Sequence, residues 1–205
     1  MSLMKDPLQL QIKALKALGD IGAAHAVIGI SKLLNQRVDI SVTNVDILPV
    51  NEIMEVFEGP ESMVSVTCFE GNNEKLLGKM FLVLHPQEAK NLIGMITGKQ
   101  ASEERIQDEY DLSVLREVGN IMCAGYIHTL STVLSKKIMH TVPVVIQERF
   151  ADVMSGPLKS SDEELDNAVM LETQFELRNG GIKGTMFFVS TSSCLDEIIH
   201  AIERT

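Results

Sequence analysis

An α+β fold with a mainly antiparallel sheet is predicted by three observations. The chain matches itself at a near-constant offset. Each half runs through the same order of helical and extended patterns. Short turns join the extended segments within each half, and strands joined in that way pair antiparallel. At an offset of 100, residues 14–43 fall on 114–143 without a gap, with Leu15, Gly19, Ile21, Ala24, Ser31, Leu34 and Val42 meeting identical residues. At an offset of 106, Thr67, Phe69, Glu70, Gly78, Met80, Phe81 and Val83 meet identical residues in the second half. The change of six, from 100 to 106, fits an insertion near 155–166, a Ser/Pro/Gly/acid-rich stretch of loop composition.

The elements follow in order. A long helical pattern opens each unit, at about 8–35 and 111–135, and a β-branched extended segment follows at 38–48 and 138–147. A hairpin pattern comes next, 63–69 with 77–84 and then 169–177 with 182–189. Gly71-Asn72-Asn73 and Asn179-Gly180-Gly181 supply turn residues. A shorter helix closes each unit at 86–97 and 192–204, with Pro86 suited to a first turn and Ser192 or Ser193 to an N-cap. The expectation is one domain over 1–205, a tandem duplication of a helix–strand–hairpin–helix unit (about 8–100 and 108–205) with pseudo-twofold symmetry. Whether the halves share one sheet is open at this level.

The 205 residues carry a formal charge of −10, which repels a phosphate backbone and argues against nucleic acid as a partner. Lys136-Lys137 and the Lys13/Lys16 pair, the only dense basic candidates, read as solvated positions. No apolar run approaches the roughly 20 residues that span a bilayer, and the first residues lack a basic-then-apolar leader, so membrane insertion is not expected. Cys68, Cys123 and Cys194 are odd in number and never in a CxxC pair, as in a cytoplasmic protein with reduced thiols. With 4% aromatics and no Trp, the core rests on Leu, Ile, Val and 11 Met.

In the second long helix Ser113, Glu117 and Asn120 stand at i, i+4 and i+7. At 100° per residue they lie within roughly 60° of one another, while Leu115, Val118, Met122, Tyr126 and Val133 turn toward a core. A carboxylate can pair with a cation on a partner, and a carboxamide can hold a water by its oxygen while its NH₂ donates elsewhere. Orienting a water is the main help that hydrolysis of a reactive acyl phosphate needs. Spacing alone does not make these residues an active site, because Glu and Asn are common on solvated stripes.

Ser113-Val114-Leu115-Arg116-Glu117-Val118-Gly119-Asn120, followed after 22 residues by Pro143, resembles the signature of the CheC/CheX/FliY phosphatases. That signature reads Asp or Ser, three residues, Glu, two residues, Asn, twenty-two residues, Pro. The duplication, length and order of elements resemble CheC along nearly the whole chain. The resemblance implies a CheC-like fold and a hydrolase acting on the aspartyl phosphate of the response regulator CheY. Glu117 would pair with a lysine of CheY and Asn120 would orient the attacking water, with Ser113 and Pro143 supporting the site. It implies no cofactor or metal of the chain's own, the Mg²⁺ being bound by CheY. It also implies a second partner, the deamidase CheD, so a CheD-binding module with little turnover is the alternative.

Relatives of this kind commonly carry the motif twice. The first copy would fall on Lys13, Ala17, Asp20 and Thr43, none of which is the expected residue. Ala17 has no group to pair with a lysine, and Asp20 lacks the amide donor and carries a charge that repels phosphate, so the first site is expected to be inactive. A metal pair of His25 and His128 is the alternative to helix-surface or interface histidines, which is the reading favoured without a carboxylate or Cys at ligand spacing, and Cys123 reads as a small core thiol. The acidic run 163–166 reads as a solvated loop and the methionines as core filler.

Overall fold

The computed structural model describes residues 7–50, 52–53, 62–70, 76–98, 106–149, 152–153, 167–177 and 180–204. Its helices are α1 (Pro7–Leu34), α2 (Pro86–Thr97), α3 (Glu109–Val133) and α4 (Ser192–Glu203). Its strands are β1 (Asp39–Pro49), β2 (Ser62–Glu70), β3 (Leu76–Leu84), β4 (Met139–His140), β5 (Val144–Glu148), β6 (Asn167–Leu177) and β7 (Gly180–Ser190).

All seven strands form one antiparallel sheet in the order β1-β6-β7-β3-β2-β4, with β5 also on β2. The question left open by the sequence is thereby answered: both halves share one sheet. The order maps onto its own reverse when β1, β2 and β3 are exchanged for β4/β5, β6 and β7. The register does the same. Phe81 pairs with Phe187, its own equivalent at offset 106, at the centre of the β3–β7 ladder. Asp39↔Glu176 has its counterpart in Met139↔Glu70, and Asn44↔Glu172 in Val144↔Val66.

Strand alternation sends successive side chains to opposite faces. Met80, Leu82, Leu84, Met186 and Phe188 enter the large core with α1, α2, α3 and α4. Phe81, Val83, Phe187 and Val189 enter a smaller core on the other face with Ile53 and Val153. On α1 the buried positions Leu15, Leu18, Ala23, Ala26, Ile30 and Leu34 recur at helical spacing. Both long helices end alike. Asn35 and Ser135 take the left-handed conformation (φ 49° and 51°), and the next amide bonds back to Ser31 O and Ser131 O at 3.2 and 3.1 Å.

The structure departs from the sequence reading at several places. The second extended segment is two strands, β4 and β5, because Pro143 cannot donate to a ladder. In β1 the equivalent place is a register shift between Val42 and Asn44, at Thr43. Helix α3 starts earlier than expected because Asp108 caps it, accepting from Tyr110 N at 2.8 Å and Asp111 N at 3.1 Å. Thr191, not Ser192 or Ser193, caps α4 by accepting from Cys194 N at 3.3 Å. Gly180 pairs with Leu177, so Gly180 and Gly181 belong to β7. The Gly71-Asn72-Asn73 turn, Asn179, the 155–166 insertion, the 163–166 run and the Cys68 side chain lie outside the described residues.

Two readings of α1 and the lysines also change. The stretch Gln9–Leu34 is, by length and composition alone, long and apolar enough to cross a membrane. Its apolar run is broken by Lys13, Lys16 and Asp20, and its buried stripe packs into the main core. Lys16 and Lys136 are not simply solvated: Lys16 bonds Asp20 and Val42 O, and Lys136 bonds Glu197 Oε1 at 2.5 Å.

Candidate functional site

Helix α3 displays Glu117 exposed at the surface and Asn120 half-buried one turn further on. Opposite them Leu115, Val118, Met122 and Tyr126 are buried, so the core anchors the helix rotation that presents the pair. Among the described residues neither Glu117 nor Asn120 has a side-chain hydrogen-bond or ion-pair partner. A carboxylate and a carboxamide are thus displayed together with their bonding capacity open. Ser113 shares the stripe, but its hydroxyl donates to Tyr110 O at 2.6 Å, a local helix bond. Pro143 is buried in the break between β4 and β5, both of which pack against α3.

The equivalent face of α1 is built differently. Lys13, Ala17, Asp20 and Thr43 are all exposed. Asp20 is engaged by Lys16 at 3.2 Å, and Lys16 also donates to Val42 O at 2.5 Å. Thr43 donates to Glu172 O at 3.3 Å. Ala17 joins Ile21, Ala24 and Ile28 in an exposed stripe at i, i+4, i+7 and i+11, with Ile21 half and Ile28 62% exposed.

Sequence reasoning missed an apolar rim. Tyr110 lies two turns before Glu117 on the same stripe and is 59% exposed. Val142 and Val144, flanking Pro143, are 75% and 58% exposed. The i, i+7 spacing of Tyr110 and Glu117 was the available signal.

Other candidate chemistry is weaker. Burial pushes the Cys194 thiol up to about 11, reinforced by Glu197, so it is not a ready thiolate, and Cys123 is a buried core residue. Among the described residues no group of three or more His, Cys, Asp or Glu could hold a metal ion.

Residues 111–146 match the model of the CheC-like family. That segment contains Ser113, Glu117, Asn120 and Pro143. Along the rest of the chain the similarity continues. It is 24% identical to the CheY-P phosphatase CheC of Bacillus subtilis (strain 168) over 206 residues, 98% of each protein. The chain resembles CheC along its full length. It is also 28% identical to the flagellar motor switch phosphatase FliY of the same organism, covering 84% of this chain but 43% of that protein. The crystal structure of Thermotoga maritima FliY superposes with a TM-score of 0.76 at 20% identity, over 98% of this chain and 99% of that one. The FliM middle domain of H. pylori superposes at 0.65 and 15% identity, over 93% and 97%. At these identities the structural likenesses show the fold alone. The CheC-like fold and its antiparallel sheet are therefore shared with these proteins.

Proposed function

We propose that this chain is a hydrolase that dephosphorylates the aspartyl phosphate of the response regulator CheY in the cytoplasm, using one face, that of α3. The observation that carries this reading is the unpartnered, co-displayed Glu117 and Asn120 inside the segment that matches the CheC-like family model. The name of the full-length relative, a CheY-P phosphatase, supports the substrate.

In this reading Glu117 pairs with a lysine on the regulator and fixes the docking. Asn120 accepts a hydrogen bond from a water through Oδ1 and donates through Nδ2 to a phosphoryl oxygen. The water oxygen attacks phosphorus as the P–O bond to the aspartate breaks, giving the aspartate carboxylate and inorganic phosphate. The contribution is positioning, the main lever available in phosphoryl transfer. The Mg²⁺ that accompanies the acyl phosphate belongs to the regulator, as part of the substrate. Ser113 and Pro143 act through shape, by holding the first turn of α3 and the β4–β5 break. The net charge of −10 disfavours nucleic acid, and the packing of the α1 stripe into the core supports a protein that does not insert into membranes.

A second reading is favoured by the face of α1. Its Ala17, Ile21, Ala24 and Ile28 stripe and its engaged Asp20 suit binding better than hydrolysis. A CheD-binding module with little turnover would use such a surface. Phosphate release from phosphorylated CheY with Mg²⁺, with and without this chain, tests the first reading: acceleration over the regulator's own decay is expected. No acceleration, with CheD binding seen by titration, leaves the second.

A further inference from the structure

Helices α1 and α3 cross where their side chains are smallest. A Cβ on Gly125 would lie 2.7 Å from Gly22 O, and one on Gly22 would lie 2.6 Å from the Tyr126 ring. This close approach brings His25 of α1 against His128 of α3, residues far apart in the chain. Their ring centroids are 4.8 Å apart at an interplanar angle of 70°, and both residues are exposed.

The neighbourhood sets the tautomer of one ring. Buried Thr129 Oγ1 lies 3.0 Å from Gly125 O and 3.1 Å from His25 Nδ1. A carbonyl only accepts, so the single hydroxyl proton goes to Gly125 O and the hydroxyl oxygen accepts from His25 Nδ1–H. In the neutral imidazole this leaves Nε2 with a bare lone pair, the form that ligates metals. A hydrogen-bond acceptor on the other ring nitrogen is the support that metal-binding histidines use.

The spacing also fits. A metal–nitrogen bond of about 2.0–2.1 Å puts an imidazole centroid about 3.2 Å from the ion, so two rings at adjacent corners have centroids about 4.5–5.2 Å apart. The observed 4.8 Å lies inside that range. The His128 ring has no hydrogen-bond partner among the described residues, so side-chain rotation can turn its nitrogen toward the same point. Imidazole pairs select late first-row divalent ions over Mg²⁺, which takes oxygen ligands.

We propose that His25 and His128 form a two-histidine site for such a cation, Zn²⁺ being the probe, with water completing the coordination and the ion tying α1 to α3. The site is separate from Glu117 and Asn120: His128 lies about 12 Å along α3 from Asn120. It stands whether or not the phosphatase reading holds.

Calorimetric titration of the full chain with ZnCl₂ should show one saturable equivalent. His25→Ala and His128→Ala should each abolish it, and Thr129→Val should weaken it by about tenfold or more. His85→Ala, His140→Ala and His200→Ala should leave it unchanged. Nitrogen NMR of the wild-type imidazoles gives a readout that needs no variant to fold: Zn²⁺ should shift Nε2 of His25 while Nδ1 keeps its proton. Zn²⁺ should also raise the melting temperature of the wild type and not of the two alanine variants. Absence of saturable binding, binding that survives in both alanine variants, or unmoved His25 and His128 resonances would overturn the proposal and leave the pair a packing contact.

Discussion

Lys16 Nζ lies 3.2 Å from Asp20 Oδ2 and 2.5 Å from Val42 O, so a carboxylate held in an ion pair occupies the position on α1 that Asn120 occupies on α3. The pair is nearly half exposed on both sides, so its own contribution to stability is under about 1 kcal/mol. Its chemical effect is larger, because a negative charge stands where an amide donor would face a phosphoryl group. Asp20→Asn alone should leave melting and phosphate release unchanged, since Ala17 still supplies no docking carboxylate. Ala17→Glu with Asp20→Asn, made in an Asn120→Ala background that isolates the first face, should give measurable hydrolysis of phosphorylated CheY. A rate equal to the regulator's own decay would show that the two faces are not equivalent as sites.

On α3 the two side chains should separate in kinetics. In the proposed reading Asn120→Ala removes the amide that positions the water, and loss of one such positioned group costs about 10²–10³ in turnover. In the same reading Glu117→Ala removes the charge proposed for docking and should raise KM more than it lowers kcat. Glu117 is exposed, Asn120 is half-buried, and neither has an internal partner among the described residues, so stability should move by no more than about 0.5 kcal/mol in either variant. Steady-state phosphate release checks the split, and thermal melts check the fold. Full activity in Glu117→Ala would remove its docking role.

The stripe that carries the candidate site was legible because its signal is local, while the resemblance to the phosphatase signature, not the spacing, singled it out. Ser113, Glu117 and Asn120 share a stripe by helix period alone, and the buried Leu115, Val118 and Met122 follow from the same arithmetic. The fold class was legible because hairpin spacing and the two offsets are also local comparisons. What escaped depends on choices among neighbours or on distant contacts. Thr191, Ser192 and Ser193 could each cap α4, and only the entry angle of the chain selects Thr191. Pro143 was read as a motif position, yet it also divides the strand. The meeting of His25 with His128 depends on how two helices cross, which no window along the chain contains.

Tyr126 gives the fold a pH dependence in the alkaline range. Burial pushes its phenol up to about 12, and the nearby Thr173 hydroxyl lowers it only in part. The Tyr126 hydroxyl meets no hydrogen-bond partner within bonding distance, and the one proton of the nearby Thr173 hydroxyl goes to Leu171 O. A phenol whose pKa rises from about 10 unfolded to about 12 folded keeps the folded state's extra proton between those values. Stability is therefore complete below pH 10 and falls as the pH rises through 12, by about 3 kcal/mol. Tyr126→Phe should abolish this alkaline loss and cost little at neutral pH, because it removes an unpaired buried hydroxyl. Urea unfolding at pH 7 and pH 11 measures both, and an alkaline slope that persists in Tyr126→Phe would assign it elsewhere.

The helix crossing itself can be tested by three glycines that meet different neighbours. By propensity alone, replacing Gly by Ala inside a helix should stabilise it by about 1 kcal/mol. At Gly125 the new methyl would lie 2.7 Å from Gly22 O and 3.0 Å from Ala26 N, backbone atoms that move only if α1 moves. Overpacking of that kind costs about 1–3 kcal/mol, so Gly125→Ala should be net destabilising. Gly22→Ala should behave alike, because the obstacle is the buried Tyr126 ring at 2.6 Å. At Gly19 the contacts are methyl groups of Leu171 and Val42 at 3.3 Å, which can shift by tenths of an ångström, so Gly19→Ala should be near neutral. Denaturant midpoints at constant slope separate the three. If Gly125→Ala proved as stable as Gly19→Ala, the close contact of α1 with α3 would be looser than described. The same variant reports on the histidines: pushing the helices apart should draw His25 away from His128 and weaken Zn²⁺ binding without touching either ring.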